Sequence, residues 1–298
     1  MEIELADLAA SFARSLRAEM KAERTIKIYG QAIRFFGEWL TDTGQPATLN
    51  HLTRDNVRAW LAYLGEDHEA STVHIRFAGL RRYCGWLVAE GEIDTSPMAG
   101  LNPPEPAQKP VPVLDDDELS ALLKACTGRG FSDRRDEAML RVLLDAGVRV
   151  SELCGLKLDD VDLNREMAMV RGKGNKIRPV YFGARTVRAL DRYLRERRKH
   201  RWAHLDALFL TQRGALSTDG ARERIRVRAE QAGLKDRMHP HRFRHTFAHD
   251  FLLHGGQERD LKRLAGWSSD VMLERYGASA ADMRAREATR RLRRGDRV

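Results

Sequence analysis

Six of the nine prolines in this 298-residue chain fall between Pro97 and Pro112, in the stretch PMAGLNPPEPAQKPVP. Proline fixes φ and removes the N–H that helices and strand ladders need, so a proline-dense stretch excludes both. It predicts an extended linker over 97–112 between two domains, one over 1–96 and one over 113–298. Each is of ordinary domain size and long enough to bury its own core. No internal repeat is visible.

Ahead of the linker the pattern is helical. Ile26, Tyr29, Ile33, Phe36 and Leu40 recur at three- and four-residue steps and make one apolar stripe. Thr53 can cap a helix carrying Val57, Trp60, Leu61 and Leu64. Ser71 or Thr72 can cap another whose inner face is Val73, Phe77, Leu80, Cys84 and Leu87. With a short helix near 4–19, this predicts a small helical bundle. Its outer faces show Arg24, Lys27, Arg34, Arg76, Arg81 and Arg82, a basic surface.

After the linker, Asp115 and Glu118 fit a capping box. A helix over roughly 133–146 ends at Gly147. MAMVRGKGNKIRPVYF (167–182) breaks the helical period, and its GKGN suits a hairpin turn between two short strands. Helices resume beyond it. The expected fold class is mainly α with a small antiparallel sheet (α+β).

Hydrophobic residues make up 42% of the chain and aromatics 7%, the composition of a folded globular protein. No run approaches ~18 apolar residues, and the acidic start MEIELADLAA is unlike a signal peptide. The expected location is the cytoplasm, with no membrane partner. Cys84, Cys126 and Cys154 are far apart without a CxxC, and read as buried thiols.

Net charge is +9, and 42 of the 52 basic residues are arginine. A GC-rich genome favours arginine and accounts for part of this bias, but not for the local runs. Residues 185–201 hold eight basic side chains against two acidic, 222–228 hold four against one, and 284–297 hold seven against two. Such runs are the electrostatic footprint of a polyphosphate partner.

One cluster is denser still. HPHRFRHT (239–246) gathers three histidines and two arginines with no carboxylate. His241, His245 and His249 stand at i, i+4 and i+8, a spacing that invites zinc. Arg242 and Arg244 would oppose a dication, however, and no HExxH pattern is present. The cluster suits an anion, and neither a metal nor any other cofactor is expected. His241 and Arg244 stand three apart, on one face of a helix starting near Pro240. Three further segments stand out. Arg149 lies in GVRVSEL (147–153), after Gly147 and before a helix that Ser151 can cap. Lys173 lies at the tip of RGKGNK, and LAGWSSDVMLERYG holds Trp267 and Tyr276.

Together, in this order and spacing, these segments resemble the tyrosine recombinase family, also called phage integrases. The resemblance runs over nearly the whole chain: a helical, SAM-like core-binding domain, a linker and a catalytic domain. It implies Arg149, Lys173, His241, Arg244 and Tyr276 as catalytic residues. Glu152 matches the supporting acidic position three after the first arginine. Trp267 stands where many members carry histidine and some tryptophan. His245 and His249 orient or pack behind the site. The implied reaction is DNA cutting and rejoining through a 3′-phosphotyrosyl intermediate.

The chemistry fits those residue types. Arginine is a planar, permanently charged phosphate clamp, so Arg149 and Arg244 would grip the non-bridging oxygens. Losing one such preorganised donor costs roughly 3–4 kcal/mol in the transition state. Lys173 would protonate the leaving 5′-oxygen, and His241 would take the phenolic proton or hydrogen-bond the phosphate. Ionising a tyrosine at pH 7 costs roughly 4 kcal/mol, which neighbouring cations lower. The covalent phosphotyrosine keeps the energy of the broken bond, so strands are rejoined without ATP or metal.

The resemblance implies duplex DNA as partner, four protomers assembled on two duplexes, and possible directionality or DNA-bending factors. Arg222, Arg224, Arg226 and Arg228 join the six arginines and lysines of the first domain as expected DNA contacts. The helical domain begins almost at Met1, which is expected to leave no room for an arm-site-binding domain and fits a compact phage or mobile-element integrase or a chromosome-dimer-resolving recombinase, with the integrase the favoured expectation. Rival readings are a type IB topoisomerase and a DNA-binding regulator that has lost the chemistry.

Overall fold

The computed structural model describes residues 3–103, 112–234, 238–267, 269, 270, 273, 281, 284–286 and 288–297. The chain divides into two compact units, Met1–Gln108 and Lys109–Val298.

Among the described residues the first unit holds four α-helices, α1 (Leu5–Ala18), α2 (Glu23–Asp42), α3 (Arg54–Asp67) and α4 (Ala70–Ala89). The apolar stripe of α2 points inward as the spacing requires: Ile26, Ile33, Phe36 and Leu40 are buried and Tyr29 half-buried. Thr53 caps α3, its Oγ1 accepting from the Asn56 N–H at 3.2 Å. The expected Ser71 or Thr72 cap is not formed. α4 begins at Ala70 behind Glu69, without a side-chain cap, and the inner face from Val73 to Leu87 drives its placement instead. α2 and α4 pack closely because Gly79 lacks a side chain; a Cβ there would stand 2.8 Å from that of Ala32. Phe12, Tyr83 and Trp86 form an aromatic cluster, and Phe36 meets Trp60 edge-on at 5.3 Å.

The start of the expected linker belongs to this unit. Met98 is buried, Leu101 packs on the same core, and Arg81 donates to the Leu101 carbonyl. An apolar side chain spaced among prolines still anchors the chain.

The second unit is helical around a small sheet. Among the described residues its helices include α5 (Asp116–Lys124), α6 (Phe131–Ala146), α7 (Val150–Cys154), α8 (Ala184–Arg197), α9 (Thr218–Gln231), α10 (Pro240–Leu253) and α11 (Glu258–Ala265). Strands β1 (Val161–Asp162), β2 (Met167–Arg171) and β3 (Ile177–Tyr181) form an antiparallel sheet in that order, with Met167 opposite Tyr181 and Arg171 opposite Ile177. A second antiparallel pair joins β4 (Leu210–Thr211) and β5 (Gly214–Ala215). This is the mainly α architecture with small antiparallel sheets that the sequence predicts. Asp115 and Glu118 form the expected capping box on α5, with bonds of 2.8 and 3.2 Å. The buried face of α6 packs on α8 and α10. Gly147 ends α6 at φ +55, a left-handed conformation that favours glycine.

Cys84 and Cys126 are buried and Cys154 half-buried. Burial pushes the thiols of Cys84 and Cys126 up to about 12. Among the described residues no helix is long and apolar enough to cross a membrane.

Candidate active site

The anion-binding character of residues 239–246 separates into different jobs once folded. Pro240 takes the first turn of α10, where its missing N–H costs nothing. Arg242 is buried and works within the fold: its Nη2 donates to the Val113 carbonyl at 2.8 Å and its Nε to Pro112 at 3.3 Å. Thr246 accepts from the Leu114 N–H at 2.9 Å. These bonds pin the incoming segment 112–114 to α10. His245 and His249 are buried behind the exposed side of the helix, and His241 is exposed.

Arg244 faces inward, and it is 2% exposed. Its Nη1 donates to the Gly147 carbonyl at 2.7 Å and its Nη2 to the Ala265 carbonyl at 2.5 Å. The guanidinium lies 5.4 Å from the centre of the Trp267 ring. α10 thus ties the end of α6 to the end of α11. Gly147 is needed for contact as well as for its φ, since a Cβ would lie 2.3 Å from the Phe247 ring.

Arg149 follows Gly147 by two residues and precedes α7. Ser151 does not cap that helix. Glu152 does, its Oε2 accepting from the Arg149 N–H at 2.8 Å, because a carboxylate one turn in reaches back to the open N–H. Glu152 Oε1 also accepts from Arg149 Nη1 at 2.9 Å. Arg149 keeps 37% of its side chain exposed, while that of Glu152 is 2% exposed.

A third arginine, absent from the sequence expectations, completes the cluster. Arg178 on β3 donates from Nη1 and Nη2 to the two oxygens of Glu152 at 3.0 and 2.9 Å, and from Nε to the Leu264 carbonyl at 2.7 Å. Its only sequence signal is a cation amid the apolar residues of IRPVY. Burial works to raise the Glu152 carboxyl, but hydrogen bonds from Arg178 and the Arg149 backbone, with both positive charges, leave it below its usual range. Glu152 therefore stays ionised and offsets one of the cations that crowd the site.

His241 is held below its ordinary value, first by partial burial, then by the field of His239, Arg244, Arg149 and Arg222. The neutral ring at pH 7 can accept a proton or donate one hydrogen bond. Arg222 thus lies within electrostatic reach of His241; its exposed guanidinium also pairs with Asp219 at 2.5 Å.

The hairpin forms as predicted, with Gly174 at φ +71 in the turn between β2 and β3. The backbone of Lys173 stands in that turn, and its side chain lies outside the described structure. Tyr276 lies outside the described residues. Leu273, three positions earlier, packs against the apolar group formed by Trp267, Ala265, Leu261, Ala248 and Leu252.

The helical arrangement, Arg149 just after α6, Arg244 within α10 and the Glu152 carboxylate on Arg149 are the features shared with a known family. Residues 112–283 match the model of the phage integrase family, and residues 9–91 that of the phage integrase N-terminal SAM-like domain. The chain belongs to this family of tyrosine recombinases. Family members are DNA strand transferases. Tyrosine recombinase XerC of Leptospira interrogans is 31% identical over 272 residues, 89% of this chain and 86% of that protein. Tyrosine recombinase XerD of Shewanella oneidensis is 31% identical over 251 residues, 83% of each. Among solved structures, the XerH site-specific recombinase bound to its palindromic difH substrate superposes with TM-score 0.76 at 19% identity, over 95% of this chain and 84% of that one. The Tn1549 transposon integrase in complex with transposon right-end DNA gives 0.73 at 18%, over 98% and 99%. These two likenesses establish the recombinase fold.

Several expected DNA contacts prove to be engaged inside the recombinase. Arg228 is buried, donating to Asp136 at 2.8 Å and to Asp133 at 2.7 Å. Arg224 donates twice to the same Asp136 oxygen, and Arg135 takes the other. Arg224 and Arg228 are therefore corrected from phosphate contacts to the cationic side of a buried ion network that fastens α9 to α6. Arg226 is exposed but bridges Glu223 and Glu230 along its own helix. In the helical unit Arg82 pairs with Glu19, Arg81 holds the Leu101 carbonyl, and Arg76 and Arg34 lie over the Phe35 ring, 4.4 and 4.8 Å from its centre. Arg24 and Lys27 are exposed on α2.

Proposed function

We propose that this recombinase cleaves duplex DNA site-specifically, with Tyr276 attacking a phosphodiester to give a 3′-phosphotyrosyl bond and a free 5′-hydroxyl. The observation that carries the reading is the pair Arg149 and Arg244, joined through the Gly147 turn, with the buried ionised Glu152 carboxylate holding Arg149. Two guanidiniums fixed this way suit the non-bridging oxygens of one phosphate. His241 acts as hydrogen-bond partner or proton acceptor, Trp267 supplies its indole N–H and packing, and Lys173 protonates the departing oxygen. His245 supports the helix from behind. Rejoining reverses the attack, so bond count and energy are conserved, and no cofactor enters.

The expected partners are two duplexes bearing the target site and further copies of this chain, forming a tetramer across them. Exposed Arg24, Lys27, Arg34, Arg81, Arg82, Arg222 and Arg226 are the candidates for phosphate contact. For the biological setting, one reading is integration and excision of a phage or mobile element. Resolution of chromosome dimers is the second reading, supported by relatives named XerC and XerD that match over most of their length.

A nicked suicide duplex tests the chemistry. The wild-type chain is expected to form a covalent protein–DNA adduct and Tyr276→Phe none; an adduct with the Phe variant sinks the nucleophile assignment. Mapping the cleaved sites in DNA flanking the gene separates the two settings: attachment-type junctions favour the integrase, and a chromosomal site near the replication terminus favours the second.

A further inference from the structure

Arg178 belongs to none of the roles above, yet all three of its guanidinium nitrogens donate to the site's framework. Its side chain is 11% exposed, and that of its bidentate partner Glu152 is 2% exposed. Its Nε reaches the last turn of α11 at Leu264, next to the Ala265 carbonyl that holds Arg244. One planar group thus joins β3, α7 and α11, the elements that border the two phosphate-gripping arginines.

Space around it is made by glycines from separate segments. Gly266 stands at φ +64, and a Cβ there would lie 3.1 Å from the Arg178 guanidinium carbon. A Cβ at Gly172 would lie 3.3 Å from Glu152 Oε1. Neither position admits a side chain without moving the ion pair.

The consequence concerns Arg149. Glu152 Oε1 accepts from both Arg149 and Arg178, and Oε2 accepts from the Arg149 N–H and from Arg178. Arg149 therefore gives the carboxylate a single Nη1 bond, and its Nε and Nη2 make no hydrogen bond among the described residues. Those donors are the ones left for a phosphate. Without Arg178, both carboxylate oxygens would turn to Arg149, the other cation bonded to them among the described residues, and a bidentate pair would draw its guanidinium inward.

We propose that Arg178 is a positioning residue, which by occupying Glu152 bidentately keeps the Arg149 guanidinium facing the scissile phosphate. This rests on the strand-cleavage reading above. A lysine offers one compact donor point and cannot serve both oxygens and Leu264 together.

The test measures single-turnover adduct formation on a nicked duplex carrying the mapped site, with DNA affinity and melting temperature followed in parallel. Full-length wild type, Arg178→Met, Arg178→Lys, Arg149→Ala and the two Arg149→Ala/Arg178 double variants are compared. Misplacing a clamp by about 1 Å costs on the order of 10²-fold in rate, so Arg178→Met is expected to cleave about 10²-fold more slowly, with Lys intermediate and DNA affinity nearly unchanged. Because Arg178 acts through Arg149, each double variant should be no slower than Arg149→Ala alone. Effects that multiply overturn the proposal, as does a loss of cleavage that only follows a loss of melting temperature or of DNA binding. If the Met variant does not fold, the Lys variant carries the same cycle. A wild-type chain without adduct refutes the cleavage reading itself, and the positioning role with it; a wild-type adduct with unchanged Arg178 variants refutes the positioning role alone.

Discussion

Arg244 donates to the main-chain carbonyl of Gly147 at 2.7 Å across 97 positions of sequence. The bond fixes the turn that aims Arg149, so one expected phosphate ligand helps place the other. The same turn needs the absence of a side chain, because Gly147 is left-handed and backed by the Phe247 ring.

Replacing that glycine tests the arrangement directly. Gly147→Ala combines left-handed strain of about 1–2 kcal/mol with overpacking of about 1–3 kcal/mol. The melting temperature should fall by several degrees, and the surviving folded protein should cleave slowly while still binding DNA. A variant as stable and active as wild type would mean that the turn is not under constraint.

The arginines of α9 should divide by burial rather than by charge. Arg228→Ala leaves the fully buried Asp136 short of a partner, and breaking a buried pair costs about 3–5 kcal/mol. Denaturant unfolding should register that loss. Arg226→Ala, exposed and paired along its own helix, should cost far less, because water and salt screen such pairs. Equal losses would contradict the network.

Exposed cations should show themselves in salt dependence. Arg24→Ala and Lys27→Ala are each expected to reduce the slope of log affinity against log salt by about one if they meet phosphates. Arg228→Met, measured under conditions where it is folded, should leave the slope unchanged. A slope that ignores Arg24 and Lys27 removes that face of α2 from the DNA contact.

The pH dependence follows from His241. Its folded value lies below the ordinary 6.5, so the unfolded chain binds the proton more readily. Its contribution to stability is therefore present above about 6.5 and declines as pH falls through the lower folded value. Cleavage that uses the neutral ring should lose rate over the same acidic window. In His241→Gln that inflection should disappear from the rate profile; an unchanged inflection would assign it to another group.

Much of the fold was legible in one dimension. Periodic apolar residues set the faces of α2, α3 and α4, since a 3.6-residue repeat determines which side can leave water. Thr53, Asp115 and Gly147 marked helix ends by chemistry that acts over three or four residues. The order of Arg149, Lys173, His241, Arg244 and Tyr276 was enough to indicate the family. The cap at Ser71 or Thr72 was misplaced because packing of the α4 core, not a local hydroxyl, decides where that helix begins.

What a given arginine does was decided only in three dimensions. Arg222, Arg224, Arg226 and Arg228 look alike in a basic run, but Asp136 comes from 88 and 92 residues away to claim two of them. Arg178 carries no local mark, and its importance arises from Glu152 26 residues earlier and Leu264 86 residues later. Charge is a property of a residue, whereas its neutralisation depends on which distant carboxylate or carbonyl the folded chain brings within 3 Å. Short-range patterns therefore specify elements and family, and tertiary packing selects which cations face inward and which remain for a ligand.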